Sequence, residues 1–249
     1  MSFLWMFLIT VVILQVSVFS TTIYLHRAMC HRGLDLHPLV ANLMHAHLSL
    51  FTGIVPREWV AVHRKHHHHS DKEGDPHSPY LLGLWKVFLG NFWYYRQETK
   101  NAATIRKYTP DHKDDLIDRI PGNSHGVYLG GLIFAGIAYL FTGTLLSAIL
   151  WGAGLWLFHI VGYILLNSSI NSFCHMVGYR NWNNKATNIQ WVALLTGGEG
   201  LHNNHHEFPT SAKFASKALE IDPAWPVIWM LQKLGLAQVR QEPLAKAAA

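Results

Sequence analysis

The sequence predicts an all-α integral membrane protein, with about three transmembrane helices capped by a helical, histidine-rich domain. Three observations carry this. Half of the 249 residues are apolar and only 14% are charged, against about 25% in an average globular chain. Two long stretches, residues 1–25 and Gly126–Ile170, contain no Asp, Glu, Lys or Arg. Histidines crowd into the segments just outside them. The length suits a single domain spanning 1–249.

The first stretch places a span at about residues 3–25, long enough as a helix to cross a bilayer. A cleaved signal peptide fits it less well, because Arg27 follows the apolar run and no basic residue precedes it. The second stretch has room for two spans, 127–148 and 150–170, with the turn at Gly143-Thr144 or at Gly152-Ala153-Gly154. His159, its sole histidine, should face the bundle interior, hydrogen-bonded there or beside a substrate channel. A shorter apolar run, Leu39–Val55, lies between Pro38 and Pro56 and carries Asn42, His45 and His47. If it crossed, His31 and His63 would face opposite sides of the membrane, so it is expected to be a buried or interfacial helix. Residues 26–125 and 171–249 then share one side. All 20 Lys and Arg fall in those two segments, so the positive-inside bias makes that side cytoplasmic and puts the N-terminus outside. The net charge of +5 reflects this asymmetry, and no nucleic-acid motif accompanies it. Cys30 and Cys174 are expected to stay free. Ala245–Ala249 should fray.

The histidine clusters read His26-x4-His31, His63-x2-His66-His67 and His202-x2-His205-His206. Imidazole suits iron, zinc, copper or nickel. On an α-helix, residues i and i+4 lie on one face, so His63 and His67 should share one metal and His66 serve another. The same reasoning pairs His202 with His206 and sends His205 elsewhere. His26 and His31, five apart, should point about 140° from each other and address different metals. A two-metal site is therefore favoured. Asn171 and His175 form a further i, i+4 pair after the last apolar stretch, with Asn171 reaching a metal directly or through water. Asp75 or Glu199 could accept the other ring N–H of a ligating imidazole, and His77 fits a turn or a supporting position. His68 and His69 extend the second cluster without being fixed as ligands. His37, His45, His47, His112 and His125 are expected to be surface or packing residues.

Taken with their flanks, these clusters resemble the membrane fatty acyl desaturases, the group that includes stearoyl-CoA desaturase. Glu58-Trp59-x3-His63-Arg64-x-His66-His67, running on to Asp75-Pro76-His77, is similar to the family's second box. Gly198-Glu199-Gly200-x-His202-Asn203-x-His205-His206-x-Phe208-Pro209 is similar to its third. Asn171–His175 followed by Gly178-Tyr179-Arg180 resembles the segment that supplies the remaining histidine. The resemblance runs from about residue 20 to 210. It implies two iron ions that activate O2, held by His26, His31, His63, His66, His67, His175, His202, His205 and His206, with Asn171 acting through a bound water. It implies that Trp59 lines an acyl tunnel. The expected activity is introduction of a double bond, of Δ9 type, into a saturated chain on CoA or phospholipid. Ala61-Val62 stands where animal relatives carry an Arg-Asp pair that helps bind CoA, which opens the choice of carrier. The compact form resembles a bacterial inner-membrane enzyme. No His-Pro-Gly-Gly haem motif occurs in the chain, so electrons are expected from a separate ferredoxin, rubredoxin or cytochrome b5-like donor with its reductase. The alternatives are a related hydroxylase or ketolase, and a transition-metal transporter or buffer.

Overall fold

The computed structural model describes residues 2–120 and 122–240; the C-terminal segment expected to fray lies outside them. Helix α1 (Ser2–Ser20) runs directly into a π-helical segment, Thr21–Cys30. Together they form one apolar rod, Phe3–Cys30, long enough to cross a membrane. Leu4, Trp5, Val12 and Val16 are exposed along it, whereas Thr10 and Ser17 are buried with their hydroxyls returned to carbonyls one turn back. An apolar outside over a polar-bonded inside is the arrangement a lipid solvent selects.

Helices α2 (Pro38–Phe51) and α3 (Pro56–His69) each begin with proline at the first turn, where its missing N–H costs nothing. They are bent by 93° relative to each other. The bend delivers His63 to the level of His31, with ring centroids 5.2 Å apart. Short helices α4 (Pro79–Leu82), α5 (Leu84–Glu98) and α6 (Ala102–Tyr108) follow.

Helix α7 (Gly126–Thr142) packs antiparallel to α8 (Leu145–Met176). The turn falls at Gly143-Thr144: Gly143 has φ +70°, and the Thr144 hydroxyl accepts from Ser147 N at 3.4 Å. The last long helix therefore starts at Leu145, not residue 150, and Gly152 lies inside it. That glycine serves packing, since a Cβ there would meet Ala135 Cα at 2.5 Å. α8 is long and apolar enough to span, while α7, at 17 residues, is shorter. His159 is fully buried and bonds Ser17 Oγ at 3.1 Å, the hydrogen-bonded interior position.

Beyond α8 come α9 (Gln190–Leu195), α10 (His202–Glu207) and α11 (Ala224–Lys233). Among the described residues the only strands are β1 (Leu34–Leu36) and β2 (Ala237–Val239), antiparallel with Leu34 opposite Val239. This ribbon ties the end of the described chain to the first histidine segment.

Candidate metal centre

The histidines converge as two groups. His26, His31, His63, His67 and His205 form one; His66, His175, His202 and His206 form the other. Four elements from distant parts of the chain supply them: the π-helical segment, α3, α8 and α10. α3 splits its histidines as the helical spacing predicts, with His63 and His67 on one side and His66 on the other. α10 splits likewise, with His205 apart from His202 and His206. His175 arrives on the last turn of α8.

One expectation is overturned. His26 and His31 belong to the same group, with ring centroids 4.8 Å apart. The cause is the π-helix, whose N–H groups bond five residues back; His31 N donates to His26 O at 3.1 Å. Residues five apart then lie nearly above one another, whereas an α-helix would have separated them.

The ring nitrogens that point into the two groups meet only one another or nothing. His26 Nε2 lies 3.0 Å from His205 Nε2, which lies 3.0 Å from His67 Nε2. In the second group His202 Nε2 is 3.0 Å from both His175 Nε2 and His206 Nε2. One proton cannot satisfy two such contacts. The Nε2 atoms of His31, His63 and His66 are buried with no hydrogen-bond partner. Such converging lone pairs are costly without a cation. A spacing of 3.0 Å suits neighbouring ligands on a metal with bonds of about 2.1 Å. The residues present fit metal ions.

The opposite ring edges face carboxylates. Glu199 accepts His26 Nδ1–H at 2.7 Å and also the Thr22 hydroxyl. Asp75 accepts His66 Nδ1–H at 3.0 Å, together with the backbone N–H groups of Asp71 and His77. Asp71, which the sequence reading missed, accepts His175 Nδ1–H at 2.8 Å and is itself held by Ser78. Its signal was present: Asp71 stands four residues before Asp75, directly after the second cluster. The asparagines of the third cluster also do more than their spacing suggests. Asn203 Oδ1 accepts the N–H groups of Asn181 and Trp182, and Asn188 Oδ1 accepts Asn203 N. These bonds hold a six-residue helix that could not persist alone.

His77 is buried and both its ring nitrogens lack partners; burial pushes it down to about 3. His68 and His69 stay outside both groups. Trp59 stacks on His63 at 4.8 Å and 10°. Asn171 Nδ2 donates to Asn91 Oδ1 at 3.2 Å, another partner the sequence did not indicate.

A cavity of about 400 Å³ opens onto His26, His63 and His77 and is lined there by Trp59, Asn91 and Asn171. It continues between apolar walls past Ile164 and Ile160 to Trp156 and Tyr128. Along α8 it runs from Ile170 to Trp156, about 21 Å of helix at 1.5 Å per residue.

A fatty acid desaturase family model matches residues 3–219. The chain belongs to the fatty acid desaturase family. Similar proteins include the Delta-9 desaturase-like 3 protein of Arabidopsis thaliana, 36% identical over 88% of this chain and 71% of that one. The sn-1 stearoyl-lipid 9-desaturase of Anabaena variabilis is 32% identical over 87% and 76%. The acyl-CoA C20 Delta5-desaturase of Anemone leveillei is 35% identical over 88% and 68%. This desaturase is thus an integral membrane oxidoreductase of lipid metabolism that acts on a fatty acyl substrate.

Acid should weaken the metal-free fold. Burial, reinforced by neighbouring imidazoles, holds His31, His202, His205 and His206 well below the ordinary imidazole value. In the unfolded chain the same groups take up protons near pH 6.5 (about the free value). Between the two values the unfolded state binds more protons, so stability falls as pH drops. Burial would raise Asp71 and Asp75, yet the His175 and His66 contacts leave both lowered, which acts in the same direction. The melting temperature of metal-free desaturase should be flat from about pH 7.5 upward and fall below about 6.5. A flat profile down to about pH 5 would contradict this account.

Proposed function

We propose that this desaturase is O2-dependent and holds two iron ions, one in each imidazole group, to introduce a Δ9-type double bond into a saturated chain on CoA or phospholipid. One observation carries the reading: two groups of converging imidazoles lie side by side, and the first opens through His26 and His63 onto a long apolar cavity. Bound iron would activate O2 and supply the strong oxidant that an unactivated methylene requires and that no side-chain base can replace. The reaction removes two hydrogens from adjacent carbons; with two electrons and two protons added, O2 leaves as two waters.

The nine histidines act as ligands through Nε2 or Nδ1, and Asn171 through a bound water. Glu199, Asp75 and Asp71 hold the far ring protons of His26, His66 and His175, which fixes tautomer and ring orientation and strengthens the imidazole donors. Trp59, flat against His63, offers an apolar wall that seats the chain beside the centre and keeps water away. His77, neutral and lining the cavity, supports the His66 side. Ala61 and Val62 are buried and offer no charge to CoA, which supports a phospholipid-borne chain. The distribution of Lys and Arg supports a cytoplasmic centre and an outward N-terminus, as expected of a bacterial inner-membrane enzyme. Electrons come from a separate ferredoxin, rubredoxin or cytochrome b5-like donor with its reductase.

The test is the fatty-acid profile of a bacterial host that expresses the chain with a supplied donor. A new monounsaturated acid is expected, located by mass spectrometry. A hydroxylated product would overturn desaturation. In the same host, Trp156→Ala deepens the apolar end of the cavity and should shift the product toward longer chains. An unchanged distribution would mean that this wall does not set length.

A further inference from the structure

The wall of the cavity is also protein surface at two places. Among the described residues that line it, Phe92 and Tyr128 alone are exposed, at 53% and 65%. Phe92 stands on α5 at the histidine end, where its neighbour Asn91 accepts Asn171 Nδ2–H at 3.2 Å. Tyr128 stands on α7 at the apolar end. α5 itself has two unlike faces. The inner one buries Val87 and Asn91 and packs on the last turns of α8, with the Phe88 ring 4.9 Å from Phe173. The outer one is apolar. Trp85, Leu89, Phe92 and Trp93 are 53–72% exposed, and they fall within an arc of about 100° at 3.6 residues per turn. Lys86 flanks this arc, and Arg96, 3.5 Å from Glu58, closes it in the last turn. So much contiguous apolar surface marks a contact with lipid or a partner. Fifteen residues that include Lys86, Arg96 and Glu98 do not span a bilayer. An aromatic-rich apolar face bordered by basic residues is the form of a helix that lies in the membrane interface.

Phe92 is the one residue that belongs both to this outer arc and to the cavity wall. We propose that it marks a side entrance, through which the acyl chain of a phospholipid passes from the membrane interface into the cavity while the headgroup stays outside against Lys86 and Arg96. The entrance rests on the phospholipid-borne chain proposed above. Its direction follows from the two openings. An anionic phosphate does not follow its chain into an apolar cavity, so it stays at the opening that cations border, where long basic side chains reach it from an apolar surface. α7 carries no charged residue, so the Tyr128 end suits the methyl terminus. The chain enters tail first past Phe92, and the histidine end of the cavity then holds carbons between ester and tail.

The test is photocrosslinking of the full-length chain in nanodiscs that contain phosphatidylglycerol with a diazirine on one acyl chain. It needs no turnover, so it does not depend on the desaturation product. A diazirine beside the ester should mark α5 around Phe92, and one at the methyl end should mark Trp156 or Tyr128. Phe92→Cys supplies an accessible thiol, since Cys30 and Cys174 are buried. A bulky maleimide on that thiol should abolish the methyl-end crosslink, whereas the same label on Leu89→Cys, one turn away on the outer face, should not. The ester-side probe on the parent stands even if a variant fails to fold. Ester-side marks at Tyr128, or a methyl-end crosslink that survives the label at position 92, would overturn the entrance and leave the carrier standing. A parent with no crosslink inside the cavity from phosphatidylglycerol, whether or not an acyl-CoA bearing the same diazirine gives one, would overturn carrier and entrance together.

Discussion

His202→Ala is expected to abolish double-bond formation, whereas His68→Ala, from the same run of histidines as three of the central residues, should leave it intact. His202 is fully buried, and its Nε2 sits 3.0 Å from two other ring nitrogens in a group of four. Its removal leaves three imidazoles and a void where a donor stood. Iron content should fall by one equivalent, and product formation by about a thousandfold or more, on the scale of losing a member of a reacting unit. His68 is exposed and belongs to neither group. Iron analysis and product profiling on both variants check the pair. Comparable losses in both would mean that histidine content, not the grouping, carries activity. Within α3, what separates His68 from its neighbour His67 is angle, since the two point about 100° apart.

Asp222→Ala should be among the most destabilising single substitutions in the chain. Arg27, beside His26, is buried with Asp222, which takes its two terminal nitrogens at 2.9 Å each. The guanidinium also donates to the carbonyls of Ala212 and Gly197 and lies 3.8 Å over the Phe214 ring. Phe214 in turn packs on His205, at 4.7 Å. Asp222 further accepts the N–H groups of Phe214 and Ala224. Removing it strands a charge in a dry site, a loss of about 3–5 kcal/mol, or roughly 10 °C in the melting temperature of a chain this size. Arg27→Lys should restore little, because an ammonium cannot fill a bidentate site. A shift below about 2 °C for Asp222→Ala would show that the pair is not a structural tie.

Local sequence carries some of the centre's geometry and not the rest. The partition of α3 and α10 histidines was legible because it follows from α-helical angle alone. The His26–His31 pairing was not, because nothing in Thr21–Cys30 announces a π-helix; that geometry depends on neighbours such as Arg64, which donates to the carbonyls of Cys30 and Met29 at 3.0 and 2.9 Å. Glu199 and Asp75 could be anticipated from their place beside the clusters, but their division between His26 and His66 could not. Asp71 escaped notice because its partner, His175, is 104 residues away. His45 and His112 were expected at surface or packing positions. They are packing positions: both side chains lie against carboxylates of a loop without regular structure, with His45 fully buried.

By itself the sequence determined the class of solvent, the helical architecture and the metal-binding chemistry. Each of these depends on composition or on spacing within a single helix, where 3.6 residues per turn leaves little freedom. Only the tertiary structure decided which imidazoles meet, which carboxylate stands behind each, and where the apolar cavity ends. Those contacts join α3, α8, α10 and the π-helical segment across more than a hundred residues, and long-range packing sets their register.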